Sequence, residues 1–503
     1  AGPDEAVVAR ATETLRSKAA WAEQDTLPDE NDLVGFLRAG PHVTIPVLDE
    51  GEAPTADGSV EDAAQRVPRG ASPAARRVRA RYSRPFLAHA SIAPSCGIAR
   101  WEPDGRLSVW SHSQGIHRLR DAIAQALGRE PGTVSVEHAQ NAGCYGHNGA
   151  DDAAFDAVLL ARAVPGRPVQ VLWSRRDELA WSPFGSAMVA EVEAEVDDSG
   201  TVSSWEYDVW SQGHTTRPGY ADVPGLLAGA HLAEPLNLPS AQDPPLATGG
   251  GAMRNAVPIY EVGVRRITGH RLLETPIRSS ALRSLGAFMN VFAIESFLDE
   301  VAAESGQDPL AYRLAHLDDE RARTVLRVAT EAAGWSESAR EPGRDSAPAG
   351  SGHGIGFARY KERGAYCAVV AEVEAEHAVR VRRLTIAVDV GRVVNPDGVR
   401  NQIEGGATQA TSWTLKERVR FDRRRVTSVD WESYPILRFA EAPEIDVHLV
   451  DRPDLPSVGA GEAAQGPTAA AIANAVAAAV GVRVRDLPIT TEAVVAAIEA
   501  DDD

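Results

Sequence analysis

The stretch GAGEAAQGPTAAAIANAVAAAVG, residues 459–481, constrains the fold most. A run made almost wholly of Ala, Ile and Val has no charged face, so as a helix it belongs inside the protein with neighbours on several sides. Ile472, Val476 and Val480 recur every four residues, Pro467 suits the first helical position and Gly481 suits the stop. The spacing therefore predicts a helix starting near residue 467. Its free N–H groups face the Gly-rich turn that holds Glu462, and that end favours an anion. The residues leave two readings open: a buried helix with a glycine entry turn, or a turn that presents Glu462 as a general base.

The rest of the chain is large enough to surround such a helix. It has 503 residues, 44% hydrophobic and 24% charged, which is room for two to four domains. Lys plus Arg total 51 against 71 Asp plus Glu, a formal charge of -20, which argues against a nucleic-acid partner. Arg76, Arg77, Arg79, Arg81 and Arg84 crowd together, as do the arginines from Arg418 to Arg425; both groups read as solvated or partner-facing strips. Cys96, Cys144 and Cys367 stand far apart, which excludes an iron–sulfur cluster held by this chain and a disulfide scaffold. No run of about twenty apolar residues predicts a membrane span, and the first residues are not signal-like. The chain starts directly into a helical pattern without an initiator Met, so a preceding part is expected.

Two stretches, 51–77 and 334–354, are rich in Gly, Pro, Ser and charge and read as linkers. They predict an N-terminal remnant and linker over 1–77, a first domain over 78–333, a linker over 334–354 and a second domain over 355–503. RLSVWSH, PVQVLWS, VSSWEYDVWS, YCAVVAEVEAE and VRVRRLTIAVDVG have the alternation or apolar runs of strands. GIHRLRDAIAQALG and NVFAIESFLDEVAAESG have helical spacing. The expected class is α+β with two large mixed α/β domains.

Four glycine-marked turns stand beside predicted helix starts: SQGIHR (113–118), NAGCYGHNGADD (141–152), LRSLGAFMN (282–290) and the stretch around Glu462. Such turns let backbone N–H groups approach a phosphate or an oxyanion, although each alone is usually only a turn. A hydrolase reading lacks a G-x-S-x-G elbow and an H-E-x-x-H helix, and the scattered histidines predict no zinc site.

Taken together and in order, these turns resemble the molybdenum-binding subunit of the xanthine dehydrogenase and aldehyde oxidase family. The style is that of the branch containing the nicotinate and isoquinoline dehydrogenase large subunits, in RPFLAHASIAPSC, GCYGHNGADDAA, RNAVPIYE, ALRSLGAFMNVFAIESFLDE, NPDGVRNQIEGG and GAGEAAQGPTAAAIANAV. The resemblance runs from about residue 80 to 495. It implies molybdopterin-binding domains of the xanthine dehydrogenase type, with molybdenum held by a pterin, in its cytosine dinucleotide form, and by no protein metal ligand. The family's catalytic glutamate matches Glu462, in a turn with Gly459, Gly461 and Ala463. Its glutamine beside the metal matches Gln114, its Gly-Gly-Phe-Gly turn matches Gly143, Cys144, Tyr145 and Gly146, and its substrate-side arginine segment matches Arg283 to Ala287, with Gly286. The implied reaction is hydroxylation of an electron-poor carbon in a nicotinate-like N-heterocycle with water as oxygen source.

The resemblance also implies partners. Electrons would leave to a small subunit carrying 2Fe–2S clusters, with a flavin or cytochrome subunit as a further partner, in the cytoplasm or in an exported complex. The family's Gly-Gln-Gly cofactor segment and most of its preceding small domain are absent, so a second chain or segment is expected to supply them. Cys144 and Tyr145 stand where Gly-Phe is commoner, and EAAQ where EPP is frequent, which leaves the substrate open. The alternatives are an aldehyde oxidoreductase of the same family, a carbon monoxide dehydrogenase relative without the copper-bearing cysteine loop, and a scaffold that has lost cofactor binding.

Overall fold

The computed structural model describes residues 2–50, 76–335 and 350–502. Of the linkers expected at 51–77 and 334–354, residues 51–75 and 336–349 lie outside these, while residues 351–354 already belong to a strand, so the second linker ends earlier than expected. The strands are β1 His42–Asp49, β2 Arg76–Arg84, β3 Cys96–Trp101, β4 Leu107–Ser111, β5 Val134–His138, β6 Val169–Leu172, β7 Met188–Val196, β8 Val202–Ser211, β9 Val264–Leu272, β10 Ser351–Arg359, β11 Tyr366–Glu374, β12 Arg380–Asp389 and β13 Glu444–Leu449. They form three mixed sheets in the orders β1-β9-β8-β7-β2, β5-β4-β3-β6 and β10-β11-β12-β13. Each sheet has one parallel pair: β8 with β9, β4 with β5, and β12 with β13. β1, from the expected N-terminal remnant, is the edge strand of the first sheet and pairs with β9.

The Ala-rich helix runs from Gln465 to Val480 and stops at Gly481, which takes the left-handed conformation at φ +82°. It starts before Pro467, which occupies the third helical position rather than the first. Proline is tolerated there because N–H groups of the first turn have no partner inside the helix. The helix packs on β10 through glycines that alternate along the strand. A Cβ on Gly352, Gly354 or Gly356 would come within 2.1, 2.2 and 2.1 Å of the helix backbone at Ala475 O, Ala475 N and Pro467 O. Glycine on the strand and alanine on the helix thus bring the two backbones together, and burial of this interface contributes through close packing rather than large side chains.

On its other side the same helix meets helix Ala287–Glu304. A Cβ on Gly466 would lie 2.6 Å from Val291 Cβ. A buried polar network fixes the register. Arg313 donates to Glu295 Oε2 over 2.9 Å, Arg483 donates to Asp299 Oδ2 over 2.8 Å and to Asn474 Oδ1 over 2.8 Å, and Asn474 donates to Ile355 O over 2.9 Å. Buried charges are tolerated when paired and hydrogen-bonded in this way. One continuous cluster of buried side chains spans both expected domains, from Tyr82 to Val494, so the division at 334–354 stays a proposal.

The first arginine strip is solvated as expected at Arg76, Arg77, Arg79 and Arg81, which are exposed, but not at Arg84. On β2, Arg77, Arg79 and Arg81 stand opposite Glu195, Glu193 and Glu191 of β7, a cross-strand ladder of opposite charge. Arg84 is buried and donates to Ser186 O over 3.0 Å. In the second strip, Arg420 pairs with Glu30, and Arg424 with Glu23 and Asp25, tying the N-terminal segment down.

Candidate active site

The turns at 143–146 and 281–286 are stitched together by backbone hydrogen bonds. Arg283 N–H donates to Tyr145 O over 2.7 Å and His147 N–H to Ala281 O over 2.8 Å. Gly146 has φ +134°, and a Cβ there would sit 1.9 Å from Ala281 O, so only glycine permits the approach. Ser284 and Leu285 carry φ +72° and +51°, a left-handed pair that costs L-residues about 1–3 kcal/mol each. The strained turn brings Ser284 N–H to Glu462 Oε1 at 2.7 Å.

Glu462 is half-buried, and its second oxygen is also taken. Tyr360, just beyond β10, donates its hydroxyl to Glu462 Oε2 over 2.6 Å, and Arg254 donates to the Tyr360 oxygen over 2.7 Å. Burial, reinforced by the Glu462 carboxylate, pushes the Tyr360 hydroxyl far above the ordinary range, so it stays protonated and donates. Arg254 is itself fixed by the carbonyls of Gly249 and Gly250 at 3.0 and 2.8 Å. Arg283 Nε donates to Gly461 O over 2.6 Å and its Nη2 to Gln402 O over 2.9 Å, which locks the Glu462 turn to helix Pro396–Leu415. Gln465, with its amide oriented as its neighbours require, donates to Glu462 O over 3.0 Å.

These groups face a cleft of about 610 Å³. Of the residues singled out in the sequence, Gln114, Cys144, Tyr145, Gly146, Arg283, Gly461 and Glu462 line it. Gly143, Gly286, Ala287, Gly459 and Ala463 are not on the lining. Gly286 and Ala287 open the helix behind the strained turn, Ala463 is buried, and Gly459 is exposed on the approach to the Glu462 turn. The cleft wall at this point is the turn rather than the end of helix 465–480. Residues the sequence did not single out complete the site. Arg217, Arg254, Asn401 and Gln402 line the cleft, as does Leu285 of the singled-out segment Arg283 to Ala287, and Tyr360 holds Glu462. Arg254, Asn401 and Gln402 lie inside motifs already noted for their resemblance, whereas Tyr360 has no local signal.

A recess of about 210 Å³ continues from the cleft past Gln114, Gly146, Arg217 and Tyr220. Inside it His147 Nε2 meets Asp151 Oδ2 at 3.0 Å, both buried, and burial lowers the imidazole pKa. Among the described residues no three His, Cys, Asp or Glu side chains converge as a metal-ligand set.

Comparison with known proteins gives the family. Models of the molybdopterin cofactor-binding domain match residues 55–243 and 293–443. The chain is 38% identical over 496 residues to a nicotinate dehydrogenase subunit of Pseudomonas putida, covering 96% of this chain and 39% of that protein. It is 31% identical over 411 residues to the beta subunit of isoquinoline 1-oxidoreductase from Brevundimonas diminuta, covering 80% of this chain and 48% of that protein. It thus spans less than half the length of either relative. The fold resembles quinoline 2-oxidoreductase from Pseudomonas putida 86 with a TM-score of 0.70 at 15% identity, over 85% of this chain and 77% of that one. By its domain matches, its relatives and its fold, the chain belongs to the molybdenum-binding subunits of the xanthine dehydrogenase family.

Proposed function

We propose that the chain is the catalytic molybdenum subunit of a hydroxylase that acts on a nicotinate-like N-heterocycle, with Glu462 as its general base. The observation that carries this reading is the carboxylate of Glu462 held at the cleft by Ser284 N–H and Tyr360 O–H, among Gln114, Tyr145 and Gly146. The names of the two relatives support an N-heterocyclic substrate.

The residues present fit a pterin-held molybdenum. The cleft has the volume for a bulky polar group, and its wall offers the amides of Gln114, Asn401 and Gln402. The buried Ser284 hydroxyl beside Glu462 has no protein partner. Gln114, Cys144, Tyr145, Gly146, Arg283 and Gly461 would hold the group, with Gly143, Gly286, Ala287, Gly459 and Ala463 shaping the turns behind them. When bound, the group supplies two-electron redox chemistry and the site at which water is activated.

In net terms, a ring C–H and one water become a ring C–OH, two electrons and two protons. Glu462 accepts a proton at its carboxylate, as a positioned general base does. Tyr360 keeps that carboxylate oriented, and Arg254 keeps Tyr360 oriented. Tyr145 and Leu285 line the space for the ring. We assign the cytosine dinucleotide form of the cofactor, a small 2Fe–2S subunit as electron acceptor, a flavin or cytochrome beyond it, and a second chain or segment bearing the Gly-Gln-Gly element. Among the described residues no helix is long and apolar enough to cross a membrane. The compartment we assign is the cytoplasm, with an exported complex as the alternative.

The test is purification of the assembled complex followed by metal and pterin analysis and turnover of nicotinate in ¹⁸O-water. Molybdenum near one equivalent and ¹⁸O in a hydroxylated ring support the reading. A folded complex with neither molybdenum nor pterin supports the scaffold instead.

A further inference from the structure

The cleft holds three guanidinium groups, and they are not equivalent. Arg254 and Arg283 spend their N–H groups on the carbonyls of Gly249, Gly250, Gly461 and Gln402 and on Tyr360. They hold the site together. Arg217 also lines the cleft and donates to Gln114 Oε1, but its Nε is buried without any partner. A buried donor on a cation is costly to leave unmade, so this position is built for an acceptor that the protein itself does not supply.

Arg217 is also rigidly based. Thr215 and Thr216 before it are buried, Thr216 N–H donates to Ser280 Oγ over 3.0 Å, Thr216 Oγ1 donates to Ser279 O over 3.1 Å, and Pro218 follows. A guanidinium on such a base suits a planar carboxylate, which accepts its N–H groups with charge assistance. Asp151 lines the adjoining recess but not the main cleft, and one of its oxygens, Oδ1, also lacks a partner. Like charge keeps a ligand carboxylate away from it, on the cleft side of Arg217, in the same space that Glu462 faces.

We propose that Arg217 is the specificity residue of the cleft and selects aromatic ring substrates that carry a carboxylate. The inference rests on the hydroxylase reading for the reaction, but not for the binding.

The experiment compares the assembled holoenzyme with Arg217→Gln and Arg217→Lys. Turnover is measured with nicotinate and nicotinamide, which share a ring and differ in charge. Equilibrium binding is measured by calorimetry with benzoate and benzamide, which have no ring nitrogen. A charge-assisted contact makes the parent prefer the carboxylate by about 10-fold or more in both pairs. Arg217→Gln should abolish that ratio chiefly through weaker nicotinate and benzoate binding, and Arg217→Lys should retain an intermediate ratio. An unchanged ratio in Arg217→Gln overturns the proposal. So does loss of pterin from that variant, which would assign Arg217 to a cofactor phosphate. If Arg217→Gln does not fold, a Lys variant with the parent's full preference overturns it. If neither pyridine reacts, the hydroxylase reading fails while the benzoate-to-benzamide ratio still decides the role of Arg217.

Discussion

The Tyr360 hydroxyl reaches Glu462 Oε2 at 2.6 Å, although 102 residues separate the two in sequence. The contact exists because Tyr360 follows directly on β10 and Glu462 lies in the turn just before the helix that lies on β10. The glycines that let strand and helix approach therefore also set the distance between a phenol and a carboxylate.

Removing that phenol should loosen the base without emptying the cleft. Tyr360→Phe keeps the ring and deletes the donor, and a hydrogen bond to a charged group contributes about 1.5–3 kcal/mol. We expect kcat to fall by about 10-fold or more, with KM and molybdenum content near those of the parent. Steady-state kinetics on metal-quantified enzyme checks this. Parallel loss of fold and cofactor would instead mark Tyr360 as a structural residue.

The strand glycines can be tested by stability alone. Gly354→Ala places a Cβ 2.2 Å from Ala475 N and 2.3 Å from Ala471 O, with backbone on both sides. It should destabilise by about 1–3 kcal/mol or more, as overpacking does. Gly405→Ala, inside helix Pro396–Leu415 with open space around its Cβ, should be neutral or stabilising by about 0.5–1 kcal/mol. Urea unfolding of the two variants measures the contrast, and equal effects would count against the packing described for β10.

Glu417 gives a pH dependence. It is buried, and burial pushes its carboxyl up to about 7 from 4.5, although Ser412 and Tyr434 donate to it. Because the folded value lies above the unfolded one, the folded state binds more protons between these limits. Stability is full below about pH 4.5, is lost as pH rises toward 7 and levels off above it. Glu417→Gln should therefore be close to neutral near pH 5 and stabilising at pH 8, by up to about 3 kcal/mol at one pKa unit per 1.36 kcal/mol. Thermal melts of parent and variant at the two pH values read this out, and a pH-independent difference would show that Glu417 is not the titrating group.

Much of this architecture is legible in the chain itself. The Ala-rich run, with Gly481 behind it, marks a buried helix because its pattern leaves no polar face. Gln114, Tyr145, Gly146, Arg283 and Glu462 emerge from turns whose glycines have a local signature. Tyr360 does not, because its role comes from a neighbour far away in sequence and its own surroundings read only as a strand end. The partners of the arginines on β2 were hidden for a similar reason. RRVRARYSR reads as solvated, and Arg77, Arg79 and Arg81 are exposed, but the glutamates of β7 that stand opposite them come into view only with the register. Pro467 misled by two positions because the third helical position also tolerates proline, its missing N–H having no partner inside the helix.

The base assignment is tested most directly by Glu462→Gln in single turnover. The substitution keeps size and shape, retains an oxygen to accept from Ser284 N–H or Tyr360 O–H, and removes basicity. Anaerobic reduction by substrate is followed in molybdenum-replete protein, with metal content and unfolding temperature measured on the same sample. Reduction at least about 10²-fold slower, with both controls unchanged, is the outcome expected when a general base is lost. A rate within a few-fold of the parent would show that Glu462 is not the base.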